Sequence, residues 1–248
     1  MRQKRPALFR GRHFVDEIIV LCVRWYLRYS LSYRDLTEIM SERNLLVDPS
    51  TIWRWVQRYA PELNVRIRRE LKPTNGSWRT DETYVRVAGR WTYLYRAVDS
   101  AGATIDFLLS ETRDLTAARN FFQKALASPG HPRPRVITVD GNPSYPTVID
   151  ELKQQRALGG RCYCRVVPYL NNIVEQDHRA IKRRVNACLG FRSLDGAQRT
   201  IQGYEAMHMI RKGQVRWLAK GDVTEQVRPA PRSQSGGELI NVRFGLAA

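Results

Sequence analysis

Residues 80–111 read TDETYVRVAGRWTYLYRAVDSAGATIDFLLSE, and this stretch leaves the chain few structural options. Three runs of aromatic and β-branched residues are separated by Ala88-Gly89 and by Ser100-Ala101-Gly102. In the first run Asp81, Thr83, Val85 and Val87 share one side, and Glu82, Tyr84 and Arg86 the other. A period of two belongs to strands, and short glycine-bearing turns join neighbouring strands antiparallel. The stretch predicts a three-stranded antiparallel meander.

The remainder alternates helix and strand. LTAARNFFQKALAS (115–128) has the spacing of an amphipathic helix, and PRVITVDG reads as a short buried strand ending at Asp140 and Gly141. A helix is expected over about 145–155, a fifth strand in RCYCRVVPY, and a long helical stretch from Asn172 to about Trp217 with a break between Gly190 and Gly196. Three antiparallel strands, then helix, strand, helix, strand, helix, predict an α/β fold. Its form is a ribonuclease H-like mixed sheet flanked by helices on both faces.

Ahead of the strands lie three helix candidates. FVDEIIVLCVRWYLRY (14–29) is apolar enough to face a core. SYRDLTEIMSER begins with Ser32 and has Asp35 three residues on, the pattern of a capping box with Asp in place of Glu. DPSTIWRWVQRYA offers Asp48 as N-cap and Pro49 at the first helical position. In this third helix Ile52, Val56 and Tyr59 share a face, with Trp55 beside it, and Ser50, Thr51, Arg54, Gln57 and Arg58 lie opposite. Such a trio fits helix-turn-helix DNA binding, and equally an ordinary helical domain whose polar face meets water. LKPTNGSW (71–78) has the composition of a linker. The expected organisation is an all-α helix-turn-helix domain at 1–72, the α/β domain at 73–220 and a loosely ordered tail at 221–248.

Charge narrows the partner. The 248 residues carry 41 Lys and Arg against 24 Asp and Glu, a formal net charge of +17. So basic a chain is expected to bind a polyanion, most commonly nucleic acid. The longest apolar run, Ile18 to Val23, is far short of the about 20 residues a membrane span needs, and MRQKRPALFRGRHF lacks the apolar segment of a signal peptide. No membrane partner and a cytoplasmic location are therefore expected. Cys22, Cys162, Cys164 and Cys188 include one C-x-C pair and no second one, a poor zinc pattern. Free or buried thiols are the expectation.

Three carboxylates stand out by position. Asp81 begins the first strand, Asp140 ends the fourth, and Glu175 opens a helix; 175 − 140 − 1 = 34 residues separate the last two. In the expected sheet the two aspartates sit on adjacent central strands. Taken singly, Asp81 and Asp140 are ordinary turn residues and Glu175 an ordinary helix N-terminal acid. Rival acids (Glu82, Asp99, Asp106, Asp114, Asp150, Asp177) are plentiful. Together, three convergent carboxylates offer the oxygen ligands that suit Mg2+ or Mn2+, and two such ions can clamp the attacking and leaving oxygens of a phosphodiester displacement.

TDETYVRV…GRWTYLYRAVDS, TVDGNPSYP and YLNNIVEQDHRAIKRRV, with PSTIWRWVQRYAPEL before them, resemble the DDE transposases of bacterial insertion sequences, specifically the insertion-sequence-six family. The resemblance runs from about Gly11 to Gly213. It implies a ribonuclease H-like, integrase-type core and catalytic, metal-binding residues Asp81, Asp140 and Glu175. It implies Mg2+ as cofactor, with Lys182 as the basic residue seven places after the glutamate. It also implies binding of the element's terminal inverted repeats, replicative transposition into target DNA with cointegrate formation, and a homodimer or higher oligomer in the bacterial cytoplasm at the nucleoid. A regulator that binds DNA through residues 14–60 over an inactive core is the alternative, and a nuclease without strand transfer a third reading.

At about 100° per residue Glu175 and Lys182 fall on nearly the same side of their helix. Val174, Ile181 and Val185 form a separate stripe expected to face the core, with His178 between the two directions and Arg179 and Arg183 further out. Lys182, Arg179, Arg183 and His178 are accordingly candidate DNA contacts, together with Ser50, Thr51, Arg54, Gln57 and Arg58. Trp53, Trp55 and Trp91 are expected in the core. Tyr84 and Arg86, opposite Asp81 on the strand, fall outside the expected site.

Overall fold

Trp78 to Val87 pair in unbroken antiparallel register with Arg90 to Asp99, which joins strand β1 (Ser77–Val87) to β2 (Arg90–Asp99). The two-residue turn needs positive φ at both positions, and Ala88 (48°) and Gly89 (79°) supply it. Ala88 tolerates that conformation while its N–H donates to the Phe191 carbonyl at 2.6 Å. β3 (Thr104–Ser110) continues the meander antiparallel to β2, with a register shift at Ala97/Val98.

The chain then crosses to the other side of β1. Helix α4 (Leu115–Ala127), capped by Asp114 accepting from the Ala117 N–H, leads to β4 (Val136–Val139), parallel to β1. Helix α5 (Ser144–Gln154) leads to β5 (Tyr163–Val166), parallel to β4. The sheet order is β3-β2-β1-β4-β5. The five strands are those expected, in the expected order along the chain, and they form a ribonuclease H-like mixed sheet. The structure, a computed structural model, describes residues 7–167, 170, 172–188, 190–216 and 218–223. Most of the expected tail, 224–248, lies outside them, as do Tyr169, Asn171 and Trp217.

Two cores sandwich the sheet. On one face Trp78, Tyr95, Ile105, Ile137 and Val139 pack against Phe121 and Phe122 of α4 and Tyr145, Val148 and Ile149 of α5. On the other, Val85, Val87, Leu94 and Phe107 meet α6 (Asn172–Ala187) and α7 (Leu194–Arg211). The first three helices, α1 (Asp16–Arg28), α2 (Tyr33–Ser41) and α3 (Pro49–Arg68), belong to this second core. The Ser32/Asp35 capping box forms reciprocally, and Asp48 caps α3 by accepting from the Ser50 N–H, with Pro49 in the first turn.

α3 is longer than its sequence pattern predicts. It runs through Pro61 to Arg68, because Leu63, Asn64 and Ile67 keep a buried face in step with Tyr59 and Ala60. A proline inside a helix costs about 3 kcal/mol, which this buried face offsets. Gly203 of α7 allows the crossing: a Cβ there would lie 2.6 Å from Ala60 Cβ and from a Leu27 methyl.

The expected linker is anchored rather than loose. Leu71 bridges to Val215, the Lys72 N–H donates to the Gln214 carbonyl, and Lys72 Nζ donates to Gly213 O at 2.7 Å. One continuous core therefore crosses residue 72. Among the described residues no helix is long and apolar enough to cross a membrane. The four cysteines are free thiols.

Candidate active site

β1 outlasts its neighbour. It pairs with β4 only from Ser77 to Thr80, so that edge opens at Asp81, the next residue; Asp140 likewise follows Val139, the last paired residue of β4. Two short chain segments thus deliver two aspartates to one point. Carboxylate oxygens of Asp81, Glu82 and Asp140 all lie within 4.8 Å of one another. Asp81 Oδ1 accepts from the Glu82 N–H at 2.9 Å, and Asp140 Oδ1 from the Asn142 N–H at 3.1 Å, which orients both side chains.

The electrostatics are those of like charges out of water. Burial, then Asp140, Glu82 and Glu175, push the Asp81 carboxyl up to about 7. Burial likewise raises Asp140, against the opposing Arg113 guanidinium. Hard oxygen donors that resist ionising together fit a divalent cation, which would stabilise both in the charged form. The Glu175 side chain, exposed on the first turn of α6, is near enough for its charge to act on Asp81.

Glu82 has a different role from its neighbour. Its Oε1 accepts from Arg113 Nε and from Asn142 Nδ2, and its Oε2 from the Tyr145 hydroxyl. With its oxygens so committed and its side chain 2% exposed, it is a strut between β1 and the Asp140–Tyr145 segment. Arg113 continues outward, its Nη2 4.0 Å from Asp140 Oδ2.

α6 is held by a buried ion network. Arg96 of β2 gives Nη2 to Asp177 Oδ2 at 2.7 Å and a two-pronged pair to Glu205 of α7. Asp177 Oδ1 meets His208 Nε2 at 2.6 Å and Lys212 Nζ at 3.0 Å. Burial alone would raise Asp177, but Arg96, His208 and Lys212 outweigh it and hold the carboxyl well below its ordinary range. Neither Asp177 nor Glu82 is singled out by residue type. Position gives a signal for Asp177, which lies three residues after Val174 and four before Ile181, inside the apolar stripe. Arg113, Arg96, Glu205, His208 and Lys212 carry no such mark.

The expected face of α6 forms as drawn: Val174, Ile181 and Val185 are buried, while Arg179, Lys182 and Arg183 are exposed. His178 departs from its expected role. It is buried, with Nδ1 3.7 Å from Asp81 Oδ2, and burial pushes its pKa down to about 3, so it is a neutral neighbour of Asp81 with no face for a phosphate. On α3, Ser50, Arg54 and Arg58 are exposed and Thr51 is half-buried. Gln57 is turned instead toward α7, donating to Thr200 Oγ1 at 2.9 Å. Trp55 is in the core as expected, but Trp53 (47% exposed) and Trp91 (63%) are not. Helix and hairpin surfaces run out of partners at those two positions.

Strand order, flanking helices and carboxylates gathered where β1 and β4 part define a class, a ribonuclease H-like enzyme of phosphodiester chemistry. A family model described as a DDE domain, DDE_Tnp_IS240, matches residues 75–214. The transposase for insertion sequence-like element IS431mec of Staphylococcus aureus (strain Mu50) is 40% identical over 204 residues, covering 82% of this chain and 88% of that one. The transposase for insertion sequence element IS257 in transposon Tn4003, also of Staphylococcus aureus, is 39% identical over the same length and coverage. Among solved structures, the HTLV-2 integrase catalytic core domain in complex with magnesium aligns over 58% of this chain and 95% of that one, at 16% identity and a TM-score of 0.42. The chain belongs to the DDE transposases of the insertion-sequence-six family. It is an enzyme that cleaves and transfers DNA.

Proposed function

We propose that this transposase binds the terminal inverted repeats of its own element, frees a 3′-OH at each end and joins it to target DNA, in replicative transposition with cointegrate formation. The observation that carries this reading is the meeting of Asp81 and Asp140 within 4.8 Å, under the influence of Glu175. In the first step water attacks the phosphorus at the element end; the 3′-oxygen leaves as the hydroxyl and the flank keeps the phosphate. In the second that hydroxyl attacks a target phosphorus and displaces a target 3′-oxygen. Both are in-line displacements, so one site serves both.

Asp81, Asp140 and Glu175 are the residues we assign to the metal and the chemistry. Mg2+ or Mn2+, two ions per site, would supply Lewis acidity to the phosphate and a more acidic attacking water. Glu82 holds the Asp140 segment against β1. His178 packs against Asp81 and keeps water from it. Exposed Lys182, Arg179 and Arg183 neutralise phosphates entering beside Glu175.

Residues 1–72 supply end recognition, through Ser50, Thr51, Arg54 and Arg58 on the open face of α3, with Gln57 fixing that helix against α7. Residues 73–220 carry the reaction, and 221–248 form the tail. Two ends must be brought together, so a homodimer is the smallest working unit, acting at the nucleoid in the cytoplasm. The test is a strand-transfer assay with purified protein, Mg2+ and duplexes copied from the inverted repeats flanking the gene. Joined product is expected from wild type and none from Asp140→Asn. Joining by the variant would refute the assignment.

A further inference from the structure

The β1–β2 hairpin carries an open ladder of rings and cations on the sheet face opposite Asp81. Register places Glu82 opposite Tyr95, Tyr84 opposite Tyr93, and Arg86 opposite Trp91. The first rung is buried under α4 and α5; Tyr93 of the second is half-buried against the same core, and Tyr84, Arg86 and Trp91 are exposed. Tyr84 is 48% and Trp91 63% exposed. The Tyr84 ring lies 5.4 Å from Tyr93 and 6.2 Å, edge-on, from Trp91, and the Arg86 guanidinium sits 6.0 Å over the Trp91 ring. Arg90 is exposed at the turn.

The ladder is continuous with the site. Arg113, whose Nε is held by Glu82 and whose Nη2 points toward Asp140, joins the site to the rung next to Tyr84, which follows Glu82 two residues on along the same face of β1. A strand leaving the carboxylates on that side would therefore meet Arg113, then Tyr84, then Trp91 and Arg86. Exposed rings cost free energy in water unless something covers them. A second copy of this chain is a poor cover: a two-fold contact here would press Arg86 and Arg90 against their own copies, on a protein of net charge +17. Unpaired DNA meets both needs, with bases for the rings and phosphates for the guanidinium groups.

We propose that Tyr84, Trp91 and Arg86 form a stacking platform for unpaired bases of the DNA strand next to the reacting phosphate. This rests on the reading that the carboxylate site acts on DNA, and it adds a distinct requirement: the strand on this side is single-stranded or melted.

The test compares an oligodeoxythymidine with an abasic deoxyribose-phosphate strand of the same length, by fluorescence anisotropy with the full chain. Wild type is expected to prefer the base-bearing strand by about tenfold, the scale of one stacked base. Trp91→Ala and Tyr84→Ala should each reduce that preference toward unity, and Trp91→Phe should restore most of it. Both positions are exposed, so folding, followed by circular dichroism, should be unchanged. Equal affinity of wild type for the two strands, or an unaltered preference in both alanine variants, overturns the platform. If Trp91→Ala instead converts a sedimenting dimer to monomer with DNA preference intact, the patch is a protein interface and the proposal is wrong. Failure of wild type to join duplex ends in Mg2+ counts against the transposition reading itself, a separate outcome.

Discussion

Asp177 on α6 lies 2.7 Å from the buried guanidinium of Arg96 on β2, two residues beyond Glu175. Arg96 is the cross-strand partner of Asp81, so the contact pins α6 to the sheet beside the carboxylates. Arg96 has no exposed side-chain surface and Asp177 only 8%, so neither charge has water to fall back on. Removing one partner of such a pair costs about 3–5 kcal/mol. Asp177→Asn should therefore lower the urea midpoint at neutral pH, and strand transfer should fall even where the variant remains folded. An unchanged midpoint would show that His208 and Lys212 do not depend on the charge.

The Asp81 carboxyl should make stability depend on pH. Its folded value of about 7 lies above the unfolded value of 3.8, so folding favours the protonated form. The associated stabilisation is fully present below 3.8 and is lost as pH rises through about 7. At 1.36 kcal/mol per unit the range is up to about 4 kcal/mol. Thermal unfolding in EDTA should show the melting temperature falling between pH 5 and pH 8. Mg2+ should recover much of the loss, and Asp81→Asn should flatten the curve. A variant with the wild-type slope would place the titration elsewhere.

Glu82→Gln tests the strut. A neutral amide there weakens the bond to Arg113 and leaves the Asn142 and Tyr145 donors poorly matched. Residues that orient metal ligands typically account for 10–100-fold in affinity or activity. We expect a drop of about that size in Mg2+-dependent strand transfer, partly recovered at raised Mg2+. Loss of folding without that recovery would make Glu82 merely structural.

Gly203→Ala tests the seam between the N-terminal helices and α7. The added methyl would lie 2.6 Å from both Ala60 Cβ and a Leu27 methyl, so two helices must move. Overpacking of this kind costs about 1–3 kcal/mol. Because the core is continuous, denaturation should remain a single transition at a lower midpoint. Two separated transitions would mean that α1–α3 unfold on their own.

Lys182→Ala probes the phosphate path beside Glu175. Losing one phosphate contact should weaken binding of all sequences alike and reduce the salt slope of log K by about 1. Arg54→Ala, on α3, should instead weaken inverted-repeat duplex more than unrelated duplex. Equal loss on both duplexes for Arg54→Ala would remove α3 from sequence recognition.

The local chemistry was legible in the chain itself. Alternation and glycine turns define the meander, Ser32 with Asp35 and Asp48 with Pro49 define two helix starts, and the 3.6-residue period sets the buried stripe of α6. These depend on neighbours a few residues away, which a sequence displays directly. The same local order brought Asp81, Asp140 and Glu175 forward as a set. Tertiary structure alone decided the rest. Where β1 outruns β4, Glu82 becomes a strut beside the two aspartates. The packing of α7 on α3 turned Gln57 inward and merged the helices and the sheet into one core. His178 was buried against Asp81, and Trp53 and Trp91 were left in solvent. Each of these outcomes depends on which distant segment arrives opposite a residue, and burial and charge pairing are properties of that meeting, not of the residue.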